Sequence, residues 1–179
     1  MKKEQEFKQK ILIADDSEMN RLILTDMLED EYEIIEAENG VEAVTAIQKY
    51  GVELSLILLD IVMPEMDGFG VLNVMNRCHW IEDIPVIMIS SESGSTHVKR
   101  AYELGITDYI SRPFDAMIVH RRVVNTIMLY AKQKKLASLV MEQIDQNVKQ
   151  STLMIDILSH IVEFRNGESG LHVIHIRAL

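Results

Sequence analysis

The segment LSLILLDIVMPEMDGF, Leu54 to Phe69, begins with an apolar run and continues into turn residues. Five of its first six residues are apolar, and Asp60 follows the run directly. A short apolar run bounded by turn signals is typical of a strand buried on both faces, as in a parallel sheet. Two adjacent carboxylates, Asp15 and Asp16, follow an earlier apolar run in the same way.

Four other short runs share this character, and helical patterns lie between them. They are ILIA (11–14), YEIIEA (32–37), PVIMIS (85–90) and TDYI (107–110). Strands that alternate with helices predict an α/β fold, a five-stranded parallel sheet wound on both faces by helices. With the first and third strands as neighbours, the order is the flavodoxin-like 2-1-3-4-5.

The helical patterns begin at cap or glycine residues. Ser17 is the predicted N-cap of the first helix, Asn39-Gly40 opens the second, Gly68 opens the third, and Gly105 ends a fourth that runs from about Thr96 to Leu104. Apolar spacing predicts which residues face the sheet. They are Met19, Leu22, Ile23 and Met27 in the first helix, Val41, Val44 and Ile47 in the second, and Val71, Leu72 and Met75 in the third.

The three aspartates predict a metal site. In an open parallel sheet, ligands bind beyond the carboxyl ends of the strands, where neighbouring connections diverge. The predicted strand order brings Asp15, Asp16 and Asp60 to one crevice there. Converging carboxylates repel each other and need a cation, and their hard oxygen atoms suit Mg²⁺. An adjacent pair of aspartates is by itself more often part of a solvated turn than of a metal site. The presence of Asp60 at the end of a neighbouring strand favours the metal site.

The sequence changes after Pro113, because residues 114–166 contain neither glycine nor proline. A helix of about fifty residues is roughly 80 Å long. One series of positions keeps a strict 4,3 spacing: Val123, Ile127, Tyr130, Lys134, Ala137, Met141, Ile144, Val148, Ser151, Ile155, Leu158 and Val162. We call this series the seam. It predicts a coiled coil and a homodimer. The alternative, a helix packed on its own domain, accounts only for the beginning of the seam.

Composition excludes several classes of protein. A net charge of −10 argues against a nucleic-acid partner, which needs clustered basic residues. A single cysteine, Cys78, excludes an internal disulfide and fits a reducing compartment. The N-terminal MKKEQEFKQK has no apolar core of a signal peptide, and no apolar run approaches membrane-spanning length. We therefore expect a cytoplasmic protein with no membrane contact.

Residues from about Lys10 to Val124 resemble the receiver domain of two-component response regulators. The resemblance rests on the Asp15-Asp16 pair, LLDIVMPEMDG (58–68), PVIMIS (85–90) and DYISRPF (108–114). It implies a phospho-acceptor at Asp60, a sensor histidine kinase as phosphodonor, and Mg²⁺ held by the three aspartates and a backbone carbonyl. That carbonyl belongs to Val62. It also implies that the Ser90 hydroxyl meets the phosphoryl group and that Tyr109 is the switch aromatic.

One residue departs from the family pattern. The family has lysine before the proline of the last motif, and this chain has Arg112. Arginine can still bind a phosphoryl group in bidentate fashion, but its planar group is longer than a lysine ammonium. The resemblance also implies a cis bond between Arg112 and Pro113.

The tail IVEFRNGESGLHVIHIR (161–177) resembles the opening of HD-GYP domains, metal-dependent phosphodiesterases that hydrolyse cyclic di-GMP. Glu168 and His172 match a Glu and a His of that family, and their spacing puts both on one helix face. Asn166 replaces an aspartate of the family pattern. The expected organisation is a tail (1–9), a receiver (10–124), a linker or coiled-coil helix (125–163) and the start of an output domain (164–179).

We do not expect this chain to be an enzyme, because two ligands cannot form a catalytic metal site. The full-length parent would be the phosphodiesterase. A second hypothesis is a pseudo-receiver that serves only as a dimerisation scaffold. A third is a phosphatase with an aspartate nucleophile, which would need a second aspartate where this chain has Val62.

Overall fold

The predicted sheet is present. In the computed structural model, the backbone is described for residues 8–91 and 95–176, and side chains for 8–91 and 96–162. Five parallel strands lie in the order 2-1-3-4-5. They are β1 (Lys10–Ala14), β2 (Glu33–Ala37), β3 (Leu54–Asp60), β4 (Val86–Ser90) and β5 (Asp108–Ser111). Each strand lies within about one residue of its predicted run.

Six α-helices lie within the described residues. They are α1 (Glu18–Leu28), α2 (Gly40–Tyr50), α3 (Gly68–Arg77), α4 (Trp80–Asp83), α5 (Ser95–Glu103) and α6 (Ala116–Ile176). The sequence did not predict the one-turn helix α4 or the 3₁₀ turn Gly51–Glu53. The predicted caps are confirmed, because Ser17 Oγ accepts from Asn20 N and Asn39 Oδ1 accepts from Glu42 N.

Alternate residues of the central strands bury against opposite layers. Leu12, Ile57 and Leu59 belong to one apolar cluster, together with residues of α2, α3 and α5. Ile11, Leu56 and Leu58 belong to the other, together with residues of α1 and α6. Because side chains of a strand alternate between faces, a sheet covered on both sides needs these near-continuous apolar strands.

The predicted inner faces of the first two helices need correction. Met19 and Leu22 are exposed, and the buried residues of α1 are Arg21, Leu24 and Leu28. The helix is rotated from the predicted face because the Arg21 guanidinium faces inward, where it is hydrogen-bonded to groups beside β1 and β2. In α2, Ile47 is buried as predicted, whereas Val41 is exposed at the first turn. All three predicted residues of α3 are buried.

Helix α6 is one continuous helix of 61 residues. It extends through Gly167 and Gly170, beyond the run without helix breakers, although glycine lowers helix stability by about 1 kcal/mol. The chain divides into two compact units, Met1–Ala131 and Lys132–Leu179. Within the first unit, Val119, Val123 and Ile127 are buried in the core. Within the second, every described side chain from 132 to 162 is exposed.

None of the described helices is long and apolar enough to cross a lipid bilayer.

Close packing at Gly68 joins α3 to the end of β3. A Cβ at Gly68 would lie 2.2 Å from the backbone oxygen of Asp60, and Gly68 N donates to Ile61 O at 2.9 Å. We expect Gly68→Ala to lower the free energy of unfolding by about 2 kcal/mol or more, because backbone must move to admit the methyl group. Urea unfolding at equilibrium measures the change.

Gly70→Ala is the matched control for this variant. The nearest atom to its Cβ would be Met66 Cγ at 2.7 Å, which belongs to a flexible side chain. We expect a smaller loss there than at Gly68, because the atom that must move belongs to a side chain and not to the backbone, and because alanine favours the helix by about 1 kcal/mol. Equal losses for the two variants would contradict the close packing at Gly68.

Candidate functional site

Three aspartates meet at the carboxyl edge of the sheet. β1 and β3 are paired with Ala14 opposite Leu59, so Asp15 and Asp60 are the next residues of neighbouring strands. One carboxylate oxygen from each of Asp15, Asp16 and Asp60 lies within 4.8 Å of the others. Asp15 and Asp60 are buried and Asp16 is exposed. The structure therefore brings together the carboxylates predicted as metal ligands.

Asp15 is hydrogen-bonded through both carboxylate oxygens and its backbone oxygen. Its Oδ1 accepts hydrogen bonds from Ser17 N at 2.9 Å and from Asn20 Nδ2 at 3.0 Å. Its backbone oxygen accepts from Arg21 Nη1 at 2.9 Å. Its Oδ2 is paired with Arg112 Nη2. These contacts fix the direction of the Asp15 carboxylate.

Arg21 is a buried cation behind the site. Its guanidinium pairs with Glu36 at 2.9 Å and with Glu38 at 3.0 Å, in addition to its bond with the Asp15 carbonyl. It ties the loop after β1 to the end of β2. The sequence pattern did not predict a role for Arg21 or Asn20. The available signal was a pair of polar residues five and six positions after Asp15, in a helix whose apolar pattern predicted Met19 and Leu22 on the inner face.

The ionised form of Asp60 is destabilised at the end of β3. Burial raises the pKa of the Asp60 carboxyl from its ordinary 3.8 to about 6; the positive charge of Arg112 opposes this shift, and Asp15 and Asp16 add to it. The Arg112 Nη2 lies 3.2 Å from Asp60 Oδ1. One guanidinium therefore does not balance the negative charge that the site gathers.

The other predicted site residues lie on the neighbouring strands. Ser90 is the last residue of β4 and is buried, one position beyond Ile89, which pairs with Asp60. Arg112 follows β5, and its backbone N donates to Ser90 O at 2.9 Å. The peptide bond between Arg112 and Pro113 is cis, as expected.

Tyr109 and Val62 are the remaining predicted site residues whose side chains the structure describes. Tyr109 is a half-buried residue of β5 that packs against the cluster on the α2–α3 side. It also lines a cavity of about 370 Å³ with residues of α5, β5 and α6. Val62 is an exposed residue of the loop after β3. Glu168 and His172 fall within the α6 backbone, but their side chains lie outside the described residues.

The response regulator receiver domain family matches residues 11–124. The chain belongs to this family. It is 30% identical over 162 residues to Response regulator RR06 of Streptococcus pneumoniae, covering 90% of this chain and 67% of that protein. A solved CheX–CheY–BeF3–Mg²⁺ complex from Borrelia burgdorferi matches with a TM-score of 0.60 and 33% identity, covering 65% of this chain and 87% of that one.

One relative matches beyond the receiver domain. A probable cyclic di-GMP phosphodiesterase of Vibrio cholerae is 29% identical over 171 residues, which cover 92% of this chain. The chain spans only 38% of the length of that relative. The match to the receiver family confirms the receiver predicted from the sequence, and the strand order confirms the predicted fold.

The charge of Asp60 predicts a pH-dependent stability difference. The folded chain binds the Asp60 proton more tightly than the unfolded chain, so ionised Asp60 costs stability as the pH rises through about 6. Asp60→Asn removes that charge. Without divalent metal, we expect it to raise the free energy of unfolding by about 2–3 kcal/mol at pH 8 and by little at about pH 4. Urea unfolding at the two pH values measures both differences.

Asp26→Asn, at an exposed position of α1, is the control for removing one carboxylate. It should change stability by less than about 0.5 kcal/mol at either pH. If Asp60→Asn stabilises the chain equally at both pH values, the ionised carboxylate is not the source of the cost.

Proposed function

We propose that this chain is the phospho-accepting receiver of a response regulator, with Asp60 as the acceptor and a sensor histidine kinase as the donor. The observation that carries the proposal is the meeting of Asp15, Asp16 and Asp60 within 4.8 Å at the carboxyl edge of the sheet. Asp60 is the member of this group that lies at the end of the central strand β3. Membership of the receiver family supports the assignment.

The residues present fit a magnesium ion. Burial and the neighbouring carboxylates raise the pKa of Asp60, which indicates that the site lacks positive charge. Asp15, Asp16, Asp60 and the backbone carbonyl of Val62 would hold Mg²⁺, which favours oxygen ligands and retains several waters. When bound, Mg²⁺ would offset the charge of phosphoryl oxygens. The complex of the Borrelia burgdorferi CheY, named above, contains Mg²⁺ and BeF3.

The reaction at Asp60 is a phosphoryl transfer. A carboxylate oxygen of Asp60 attacks phosphorus, and the P–N bond to the phosphohistidine of the kinase breaks. The imidazole leaves with the electron pair of that bond and takes up a proton, and the product is an acyl phosphate. The Ser90 hydroxyl donates a hydrogen bond to one phosphoryl oxygen, and the Arg112 guanidinium donates to another. Movement of Ser90 gives Tyr109 room to turn inward, which carries the state to the β5 face.

Phosphorylation is tested by intact mass. After incubation with Mg²⁺ and acetyl phosphate, wild type should gain the mass of one phosphoryl group, and Asp60→Asn should gain none, because an amide is not a nucleophile toward phosphorus. Asp26→Asn is the control and should label as the wild type does. An unchanged wild-type mass over a range of phosphodonors would contradict the proposal.

The seam on α6 supports a dimer. Beyond the first unit, its apolar members Met141, Ile144, Val148, Ile155 and Leu158 are all more than half exposed. A helix in water draws most of its stability from burying such a stripe, so two parallel copies would bury both. Lys134 and Ser151 interrupt the seam, and polar seam residues can fix register and oligomer number at a cost in stability.

The dimer is tested by placing charge in the seam. The double variant Ile144→Asp, Ile155→Asp should be monomeric in sedimentation equilibrium while the wild type is a dimer, because buried aspartates would have no partner. Phosphorylation of Asp60 should persist in the variant.

Leu139→Asp with Leu153→Asp is the matched control. Its residues are 52% and 61% exposed, against 51% and 64% for Ile144 and Ile155, but they lie outside the seam. This control should remain dimeric. A monomeric wild type, or a dimeric seam variant, would show that the seam is not the interface.

We also propose that the parent protein carries an HD-GYP output domain that hydrolyses cyclic di-GMP, and that α6 relays the state of the receiver to it. Support comes from the match of 92% of this chain to a probable cyclic di-GMP phosphodiesterase and from the tail motif with Glu168 and His172. Extension of the coding sequence beyond Leu179, followed by assay for cyclic di-GMP hydrolysis, tests this part. A parent without that activity would contradict it.

A second candidate function is a phosphorylation-independent scaffold. The contact of Arg112 with both Asp15 and Asp60 favours it, because the cluster then has a permanent cation. In that case α6 would still dimerise, and the mass experiment above would find no phosphoryl group on wild type.

A further inference from the structure

The turn that joins β2 to α2 lies directly against the loop that joins β3 to α3. Gly40 N donates a hydrogen bond to Met66 O at 3.1 Å. A Cβ at Gly40 would lie 2.3 Å from that oxygen and 2.9 Å from the carbonyl carbon of Met66. One backbone can approach another this closely only where no side chain intervenes, so position 40 requires glycine.

The two ends of the β3–α3 loop, residues 61–67, are joined to each other. Gly68 N donates to Ile61 O at 2.9 Å, which closes the loop. Within the loop, Glu65 has a φ of 63°, a left-handed conformation that non-glycine residues keep only where the surroundings hold them. A closed loop of this length has little freedom to absorb a displacement, so a shift of the Met66 carbonyl also moves Val62.

The same turn also supports the loop after β1. Asp15 N donates to Ala37 O at 3.2 Å, and Arg21 joins the Asp15 carbonyl to the Glu38 carboxylate. The turn is itself braced, because Glu42 Oε2 accepts from Glu38 N at 2.9 Å. The turn after β2 therefore contacts both of the loops that carry proposed magnesium ligands, although it supplies none of these ligands itself.

Resting on the proposed function, we infer that Gly40 is a positioning residue for the magnesium site. It acts through Met66, because its bare backbone lets α2 begin against the Met66 carbonyl and thereby sets where the β3–α3 loop, with the carbonyl of Val62, lies. The carboxylates of Asp15 and Asp60 do not depend on this contact, since the pairing of β1 with β3 places them. A side chain at position 40 therefore displaces the carbonyl ligand and leaves the carboxylate ligands in place.

Calorimetric titration with MgCl₂ tests this role. Gly40→Ala should bind Mg²⁺ on the order of tenfold more weakly than the wild type, because one oxygen ligand is displaced from a site with strict octahedral geometry. Gly105→Ala is the control for lost stability alone. Gly105 has a φ of 94°, so alanine is strained there, and it precedes β5 at the edge of the sheet opposite the aspartates. The Mg²⁺ affinity of this control should stay within about twofold of wild type.

Truncation of Met66 separates the effect of the loop backbone from that of the Met66 side chain. The atoms of Met66 nearest to a Cβ at Gly40 are its O, C and Cβ, all of which alanine retains. The double variant Gly40→Ala, Met66→Ala should therefore bind Mg²⁺ as weakly as Gly40→Ala. If Met66→Ala restores the affinity, the contact acts through a side chain and the inference is overturned.

Glu42→Ala gives an independent test that introduces no clash, and it decides if circular dichroism shows that Gly40→Ala is unfolded. It removes the acceptor of Glu38 N and of Asn39 Nδ2 and so loosens the turn after β2. Glu53→Ala is its charge-matched control, directly before β3 at the opposite edge of the sheet. Glu42→Ala should bind Mg²⁺ about fivefold more weakly than this control, because only the former loosens a contact of the β3–α3 loop. Equal affinities would overturn the inference.

Asp16→Asn separates this inference from the proposed function. Asp16 is the exposed member of the aspartate cluster, so its substitution removes a ligand without disturbing the core. If Asp16→Asn weakens Mg²⁺ binding but Gly40→Ala does not, the metal site stands and the role of Gly40 is overturned. If Gly105→Ala weakens binding as much as Gly40→Ala, lower stability explains the effect, and the role is again overturned. If Asp16→Asn changes nothing, the metal does not bind at the cluster, and both the site and the inference fail.

Discussion

The parallel pairing of β1 with β3 brings Asp15 and Asp60 to the same edge of the sheet. Because Ala14 lies opposite Leu59, the chain leaves both strands at the same level and places Asp15 beside Asp60. A shift of one residue in this register would turn one of the two side chains toward the opposite face. The apolar strands hold the register, since their alternating side chains fill both core clusters.

This juxtaposition concentrates negative charge where water is scarce. Burial and the neighbouring carboxylates raise the pKa of Asp60, and the positive charge of Arg112 opposes the shift. Two arginines contact the residues of this edge. Arg21 acts from behind, through the Asp15 carbonyl and two glutamates. Arg112 acts from the front, on the carboxylates themselves. Arg21 thus ties the loop after β1 to β2, and Arg112 is ion-paired to the two buried carboxylates.

Helix α6 carries one apolar series through two different surroundings. Its early members, Val123 and Ile127, are core residues of the receiver, and its later members are exposed. The early seam residues therefore pack within the receiver, whereas the later seam residues are exposed. An apolar stripe in water is costly in proportion to its area, which is the physical basis for expecting a second copy of the chain.

The sequence by itself determined the strand order, the helix caps and the carboxylate edge, because apolar runs, cap residues and strand-terminal aspartates act locally or through a general rule of parallel sheets. It also determined the receiver family. Only the tertiary structure decided that α1 turns Arg21 inward, because apolar periodicity does not register a guanidinium satisfied by groups on other elements. Only the tertiary structure placed Arg112 across Asp15 and Asp60, since that contact joins residues 97 positions apart whose charges meet only when β5 closes the sheet beside β4.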